Sequence, residues 1–416
     1  MVGRRRRIRL SGRAPARVRR RVLPLGAWWN DCTHALSPSE LRALVAATRE
    51  CAYLNTATYG PAPAPTVAAI NGFTERWSRG AARFEEWEAA AEDCRRLFAA
   101  LLSAPIDDIA IQPYVSTALG ALASQLGKGE RVVVSEIEFT SNLWPWLFQR
   151  RRGVEVAVVP APGGRPSLDG YAEAVAGGCA ILAVSAFQSG NGWRAPLRRL
   201  AEIAKAAGGM LIVDACQGAG AIALDPLRDG FDVLIADSYK WLMGPRGMGY
   251  MYISTEARRR FEPVGIGWRS GREPRNSYYG VEMDLSPTAS RFDSSLSWIS
   301  VVGDRESLRL LNGIGIGAIE AHDMHLAERF RAGLERIGIP GDGFPPPERS
   351  PSVAIALRDA ESAVERLRSA GVVAARRGDM VRFSFHVFND DSDVDLALDV
   401  LASEGGSHFA GGSAPR

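Results

Sequence analysis

The sequence predicts an α/β fold in which a mainly parallel sheet is covered by helices on both faces. Short apolar segments alternate with helical stretches between residues 60 and 300, which is typical of buried parallel strands. One segment ends at Asp214, before a turn of small residues, and strand ends of this kind lie where α/β sheets bind ligands. The predicted strands are near 109–112, 131–134, 154–159, 181–185, 210–214, 232–236 and 248–253.

The other elements follow in chain order. A helix begins at Pro38, a short strand and a loop cover 52–61, and an apolar helical run opens near Pro113 and continues through Leu126. After residue 298, the pattern predicts helices over 306–312 and 318–334, then a strand, a helix and a strand between 352 and 387. The glycines at 313, 315 and 317 are expected to absorb bends.

The chain is expected to have two domains, because 416 residues exceed the size of one ordinary core. The predicted parts are an arginine-rich extension (1–33), an N-terminal segment that packs near the small domain (34–59), a large domain (60–300), a smaller C-terminal domain (301–404) and a tail (405–416).

Lys240 is the most informative residue, because the chain has only three lysines. Lys128 lies in a predicted turn and Lys205 on the outer face of a predicted helix, whereas Lys240 follows an apolar strand at the start of a Gly/Pro turn. A lysine that is kept where arginine otherwise dominates indicates chemistry that a guanidinium cannot perform. A desolvated amine can lose its proton and attack a carbonyl.

Asp214 and Gln217 are a second group of residues that indicates the chemistry of the site. Asp214 ends an apolar strand 26 positions before Lys240, and Gln217 follows it by three residues. Placed against a pyridine nitrogen, a carboxylate keeps the ring protonated and makes it an electron sink.

These residues resemble the class V aminotransferase family of pyridoxal-phosphate (PLP) enzymes, which includes cysteine desulfurases, isopenicillin N epimerase and kynureninase. In that family Asp-x-x-Gln is followed further along the chain by an aromatic residue or histidine, the cofactor-binding lysine and a Gly-rich turn. Here Asp214 and Gln217 precede Tyr239-Lys240 and the run Lys-Trp-Leu-x-Gly-Pro-x-Gly. The resemblance implies fold type I, with PLP bound by the large domain.

The resemblance also implies roles around the cofactor. Lys240 forms the Schiff base and later removes the α-proton, Asp214 protonates the ring nitrogen, and Gln217 contacts the phenolic oxygen. Phe139 takes the place of a histidine that often stacks on the ring, so any acid or base task of that histidine is absent or moved. Gln188 is a possible replacement for an asparagine that some members place near the cofactor oxygen.

The phosphate and the substrate have their own expected ligands. Ser116 and Thr117 begin the helical run near Pro113, and a helix start favours a phosphate. With Ser238 and Tyr239 they are expected to anchor the cofactor phosphate. The substrate-binding residues are expected to be Arg382, for the carboxylate, and Asn55 on the entry loop.

Two departures from the family pattern bear on function and assembly. Residues 371–379 contain no cysteine, although a cysteine desulfurase needs a thiolate there, so persulfide chemistry is not expected. Leu296 occupies the position of a threonine that contacts the partner's phosphate, so either Ser295 or Ser297 replaces it or the contact is lost. With Trp268, this segment still predicts a homodimer with sites completed across the interface.

The expected function is an amino-acid aminotransferase or a carbon–sulfur lyase with a small amino-acid substrate. Removal of the substrate α-proton leaves a carbanion, and the residues do not decide its fate. Transamination, racemisation and β-elimination all remain open. An amino-acid epimerase of the same family is therefore an alternative. A different class of alternative is a non-catalytic, arginine-armed binding protein that has kept the fold.

Composition limits the remaining possibilities. The longest apolar runs are only strand-sized, so no membrane span is expected. The five cysteines lack metal-ligand spacing, which indicates a cytoplasmic protein without a metal site. Ten arginines and no acidic residue occupy positions 1–22. This arm is expected to be a disordered extension or an overlong start, with binding of nucleic acid or an anionic surface as the alternative.

Overall fold

The computed structural model describes residues 36–403 and contains the predicted strands and helices in the predicted order. The strands are β1 Ala52–Tyr53, β2 Ile109–Gln112, β3 Arg131–Ser135, β4 Glu155–Val159, β5 Ile181–Ser185, β6 Met210–Asp214, β7 Val233–Asp237, β8 Gly249–Ile253, β9 Ser352–Ala356, β10 Val372–Val373, β11 Ala375–Arg377 and β12 Met380–Ser384. The α-helices are α1 Pro38–Leu44, α2 Ala64–Ser78, α3 Phe84–Leu101, α4 Val115–Ala123, α5 Thr140–Leu147, α6 Leu168–Ala174, α7 Leu197–Ala206, α8 Pro226–Asp229, α9 Thr255–Arg260, α10 Trp298–Ile314, α11 Ile316–Arg336, α12 Ala360–Ser369 and α13 Asp391–Ala402.

The central sheet has seven strands in the order β2-β8-β7-β6-β5-β3-β4. The pairs from β7 to β4 are parallel, and β8 is antiparallel to both of its neighbours. The predicted α/β class with a mainly parallel sheet is confirmed. Because the strands that precede the proposed site residues are parallel, their carboxyl ends meet at one edge of the sheet.

Each face of this sheet has its own apolar core, and successive residues of a strand alternate between the two. In β6, Leu211 and Val213 pack in one core and Ile212 packs in the other. In β5, Leu182 and Ala183 divide in the same way. Alternation between two buried faces explains why the strands are continuously apolar in sequence.

A second sheet lies in the C-terminal part of the chain. Its strands β11, β12 and β9 are antiparallel. Strand β1 pairs in parallel with β10 of the same region, and Asn55 forms an isolated bridge with Ser384. This pairing brings the entry loop after β1 beside the strand that carries Arg382. The domain boundaries stay a prediction.

Several helices are longer or shorter in the structure than the sequence predicted. Helices α10 and α11 extend beyond 306–312 and 318–334, and only Gly315 separates them. Its φ of +89° is a conformation that favours glycine, whereas the flanking Gly313 and Gly317 are helical. Helix α4 ends at Ala123, before the predicted Leu126. Residues 1–33 and 405–416, for which an extension and a tail were predicted, lie outside the described residues.

Candidate active site

The predicted cofactor residues gather at the carboxyl edge of the central sheet. Asp214 ends β6 and pairs across the sheet with Ser185 at the end of β5. Lys240 lies in the turn after β7, and Phe139 lies in the turn between β3 and α5. The ammonium nitrogen of Lys240 is 5.7 Å from the centroid of the Phe139 ring and 5.6 Å from that of Tyr239. Three separate strand ends therefore converge on one amine.

Lys240 is 9% exposed, whereas Lys128 and Lys205 are exposed residues. Among residues 36–403, no carboxylate oxygen lies within ion-pair distance of its nitrogen. Burial alone would lower the pKa of Lys240, but neighbouring groups, among them the carboxylates of Asp214 and Asp237, outweigh burial and raise it. The amine therefore keeps its proton, whereas the sequence suggested that burial would help it to lose one.

Asp214 is also buried, and its Oδ1 accepts a hydrogen bond of 2.9 Å from the backbone N–H of Cys216. Burial raises the pKa of Asp214, and the nearby charge of Lys240 opposes that rise. A carboxyl group held in this way is suited to share a proton with a ring nitrogen inside the protein.

Glu138 organises the side chains around the β3 and β5 strand ends, and the sequence did not reveal this. Its carboxylate accepts hydrogen bonds from the backbone N–H of Ser185 (3.0 Å), from Asn142 Nδ2 (2.9 Å) and from Gln188 Nε2 (2.6 Å). Burial raises the pKa of Glu138 to about 7. Because Glu138 holds the amide nitrogen of Gln188, the amide oxygen Oε1 is left buried and without a partner in the described part of the protein.

Helix α4 supplies a candidate anion site at its first turn. Ser116 and Thr117 are exposed at the second and third helical positions, and the N-cap residue Tyr114 forms no capping hydrogen bond with its side chain. Asp237, at the end of β7, accepts a hydrogen bond of 2.9 Å from the backbone N–H of Val115. This bond ties the start of α4 to the strand that leads into Lys240, and the next amides remain available to an anion.

Residues 52–397 match the family model "Aminotransferase class-V". The chain belongs to this family. It is 28% identical to the uncharacterized aminotransferase YcbU of Bacillus subtilis over 378 residues, which cover 88% of this chain and 98% of that protein. It is 27% identical to the isopenicillin N epimerase of Streptomyces clavuligerus, with coverage of 84% and 95%.

A solved structure shows the same fold. The apo cysteine desulfurase from Thermococcus onnurineus NA1 superimposes with a TM-score of 0.78 at 22% sequence identity, covering 89% of this chain and 98% of that one. At this identity the likeness shows the fold alone. Class V aminotransferases use PLP, so the chain is a PLP-dependent enzyme that acts on amino acids, as an aminotransferase or a carbon–sulfur lyase.

The residues of this class V aminotransferase fit PLP. Lys240 lacks an ion-pair partner, Asp214 is a buried acid beside it, and the Oε1 of Gln188 is a buried acceptor without a donor among the described residues. Buried polar atoms without a partner are costly and point to a ligand. The flat side chain of Phe139 is 52% exposed and lies 5.7 Å from the amine, so a cofactor ring has a surface to contact.

The side chains of two predicted cofactor ligands, Gln217 and Ser238, form hydrogen bonds with other protein groups. The amide of Gln217 donates to the carbonyl of Ala57 (2.8 Å) and accepts from Trp241 Nε1 (2.7 Å). Ser238 is fully buried and donates to Asp304, which also accepts from Tyr250. Gln217 therefore braces the turn that carries Lys240, and Ser238 fixes the same turn to α10. Their direct contact with PLP stays a prediction.

Tyr239 lies at the edge of the same turn. It is half-buried, its ring centroid is 5.8 Å from that of Tyr59, and the guanidinium carbon of Arg246 is 5.2 Å above it. The entry loop packs closely here, because the Gly60 N–H donates to the Tyr239 carbonyl (2.9 Å) and a Cβ at Gly60 would lie 2.0 Å from the Lys240 carbonyl oxygen. Any side chain at position 60 would push this loop away from the lysine turn.

Arg382 and Asn55 meet on the substrate side. Arg382 is fully buried, and its nitrogens donate to Thr58 Oγ1 (2.6 Å) and to the carbonyl of Ser189 (2.5 Å). Burial and the charge of Arg377 lower the pKa of Arg382 to about 9. The Nε of Arg382 and the Oδ1 of Asn55 are buried without a partner within the described range. The free Nε–H of Arg382 is a donor that fits an incoming amino-acid carboxylate, and the free Oδ1 of Asn55 is an acceptor that fits the substrate ammonium group.

His386 is another residue whose role sequence reasoning missed. Its Nδ1 lies 2.8 Å from Asp323 Oδ2, and its Nε2 lies 2.8 Å from the carbonyl oxygen of Trp241. It therefore supports the backbone just after Lys240. The sequence signal was present, because His386 and Glu138 both stand in segments that resemble the family, but their partners are far away in the chain.

The described residues contain no group of three or more His, Cys, Asp or Glu side chains able to hold a metal ion. No helix of the described range is both long and apolar enough to cross a membrane.

Proposed function

We propose that this class V aminotransferase moves an amino group between an amino acid and a keto acid. The observation that carries the proposal is the isolation of the Lys240 amine as the proton carrier of the site. Of its two aromatic neighbours, Phe139 has no ionisable group, and Tyr239 keeps its proton because burial raises the pKa of its phenol. Asp214 and Asp237 influence the charge of the amine without pairing with it. A single amine that removes and returns protons suits transamination, because that reaction needs no acid for a leaving group.

Each residue then has a defined task. PLP, when bound, accepts the electron pair released at the substrate α-carbon. Asp214 holds a proton on the ring nitrogen, and Gln188 accepts a hydrogen bond with its free Oε1. Ser116 and Thr117 bind the phosphate with their hydroxyls and amides. Arg382 binds and orients the substrate carboxylate, so that the α-proton faces Lys240.

A carbon–sulfur lyase is the second candidate, and Tyr239 is the observation that favours it. Its phenol lies next to Lys240, and burial raises the pKa of Tyr239, so the hydroxyl keeps its proton. A protonated phenol at this position is able to protonate a departing sulfur.

Product analysis separates the two candidates. Purified holoenzyme is incubated with pools of amino acids, each with and without a keto-acid acceptor, and with cysteine S-conjugates. Transamination yields a new amino acid only when the acceptor is present. Lyase activity instead yields pyruvate, ammonia and a thiol without any acceptor. Neither product pattern, with PLP correctly bound, would contradict the proposed function.

The proposal excludes a cysteine desulfurase, although such enzymes are among the relatives. The supporting observation is that residues 371–379 contain no cysteine. The described free cysteines lie elsewhere, at Cys51, Cys94, Cys179 and Cys216. Formation of alanine from cysteine with a protein-bound persulfide would contradict this part of the proposal. The free thiols, three of the four buried, also support a cytoplasmic location.

We further propose a homodimer, and the support is a run of exposed apolar side chains between residues 264 and 283. Tyr279, Val281 and Met283 are largely or fully exposed, and a large apolar patch of this kind marks an interaction surface. Trp268 packs against Tyr278 at the base of this run, with ring centroids 5.3 Å apart.

Paired charges in this run are expected to break the dimer. Val281→Glu with Met283→Glu should give monomers in sedimentation at micromolar concentration and lower kcat/KM about tenfold or more, because sites completed across an interface lose ligands. Leu227→Glu is the control, since Leu227 is an exposed apolar side chain of α8, away from this run. A monomeric double variant with full activity would contradict the shared site.

Deletion of residues 1–33 is expected to leave kcat/KM for a small amino acid within about twofold, since every proposed site residue lies beyond Ser37. The measurement compares full-length and truncated holoenzyme at matched cofactor content. If turnover disappears while cofactor content and dimerisation persist, the arm contributes to substrate binding.

A further inference from the structure

Arg377 lies next to Arg382, and the two side chains share one partner. Arg377 Nη2 donates to Thr58 Oγ1 at 2.7 Å, and Arg382 Nη2 donates to the same oxygen at 2.6 Å. Arg377 ends β11, and Arg382 lies in the neighbouring β12. Two guanidinium groups thus meet at one neutral hydroxyl on the loop that follows β1.

Neither arginine has a carboxylate partner within residues 36–403. The other acceptors of the pair are the backbone carbonyls of Arg376 and Ser189 and the hydroxyl of Ser189. By contrast, the adjacent Arg376 is exposed and bonds to Glu361 at 2.7 Å. Arginines that leave water usually pair with acids, because an uncompensated buried charge is expensive.

Burial and the proximity of the two positive charges disfavour the charged forms of these arginines. Burial lowers the pKa of Arg377, and burial together with the charge of Arg377 lowers that of Arg382. A hydroxyl does not offset two positive charges, but two anionic groups would. The geometry therefore points to a ligand with two negative charges rather than one.

We propose that Arg377 binds a second anionic group of the substrate, so that the substrate is an α-amino acid with an acidic side chain. This inference rests on the proposed function, in which Arg382 binds the α-carboxylate. Arg382 is fully buried and Arg377 is only half-buried, so the α-carboxylate occupies the inner position and the side-chain acid the outer one. A carboxylate, a sulfinate or a sulfonate meets the requirement, because each offers two or more oxygens to a guanidinium.

The test measures equilibrium binding to the holoenzyme by the change in cofactor absorbance. Aspartate, glutamate and cysteine sulfinate are compared with alanine and serine, which lack the second charge. The wild-type protein is expected to bind at least one acidic amino acid about tenfold or more tightly than alanine. Arg377→Met, which keeps much of the side-chain length, should remove that preference and leave the Kd for alanine within about twofold.

Arg376→Met is the matched control, because it removes an arginine from the same strand that already pairs with Glu361. It should retain the preference for acidic amino acids, and Arg377→Lys should recover part of it. A wild-type protein that binds alanine as tightly as every acidic amino acid would overturn the inference. So would an Arg377→Met variant that weakens alanine and acidic ligands equally, since Arg377 would then serve only the inner site.

Binding of two unreactive acids, succinate and propionate, tests the two-anion site separately from the proposed function. Succinate should raise the melting temperature of the protein more than propionate does, and Arg377→Met should abolish the difference. If this holds while no amino acid changes the cofactor absorbance, the proposed function fails and the two-anion site stands. If amino acids react but succinate and propionate act alike, the two-anion site fails and the proposed function stands.

Discussion

Lys240→Ala is expected to lose covalent attachment of PLP and to lower kcat about 10³-fold or more, because the same amine binds the cofactor and carries the substrate proton. Wild-type protein treated with borohydride should carry the cofactor on the peptide that contains Lys240, as read by mass spectrometry. The variant should carry none. Circular dichroism should show an unchanged fold, since the apolar cores on both faces of the sheet do not include this side chain.

Two further variants separate the chemistry from the charge. Lys240→Arg keeps a cation between Asp214 and Asp237 but cannot form the link, so it should be as inactive as the alanine variant. Lys205→Ala removes an exposed lysine near the end of α7 and should keep full labelling and activity. Cofactor recovered on Lys128 or Lys205 would refute the assignment of Lys240.

The sequence predicted the parts of the site that depend on local pattern. Strand β6 with Asp214, and strand β7 with the turn to Lys240, are continuous segments in which apolar residues give way to polar ones at a strand end. Parallel strands bring such ends to the same edge of a sheet, so their proximity follows once the fold class is known. The start of α4 was also predicted correctly, because it too depends on a local pattern in one continuous segment.

The contacts of individual side chains were not predictable in this way. Ser238 bonds to Asp304, 66 residues later, and Arg377 bonds to Thr58, 319 residues earlier. Nothing in a linear pattern selects such partners, because they depend on how separate elements pack. The amide of Gln217 shows the consequence, since the family pattern suggested a cofactor contact and the structure uses the amide to hold Trp241.

The protonation of Lys240 illustrates a second limit. Burial alone suggested an amine that loses its proton readily, but the pKa depends on the sum of burial and neighbouring charges. The carboxylates of Asp214 and Asp237 are among the neighbouring groups that raise the pKa of this amine. Only Asp214 of these two was assigned to the site from sequence, so the sign of the shift required the three-dimensional arrangement.

Asp214→Asn is expected to keep PLP bound but to lower kcat roughly 10³-fold, because the ring nitrogen would no longer remain protonated as charge develops on the ring. The substitution preserves shape, and an asparagine oxygen can still accept the hydrogen bond from the Cys216 N–H. Cofactor content, measured after release with alkali, should therefore stay near one per chain while turnover falls.

Asp237→Asn is the matched control for this substitution. Asp237 is the neighbouring, partly buried acid at the end of β7, and burial likewise raises its pKa. Its hydrogen bond from the Val115 N–H survives in asparagine, so the start of α4 should keep its place and activity should fall far less than in Asp214→Asn. Near-normal turnover of Asp214→Asn would show that the carboxylate serves only the fold, whereas equal losses in both variants would mean that the charge around Lys240, rather than a proton on the ring, governs the reaction.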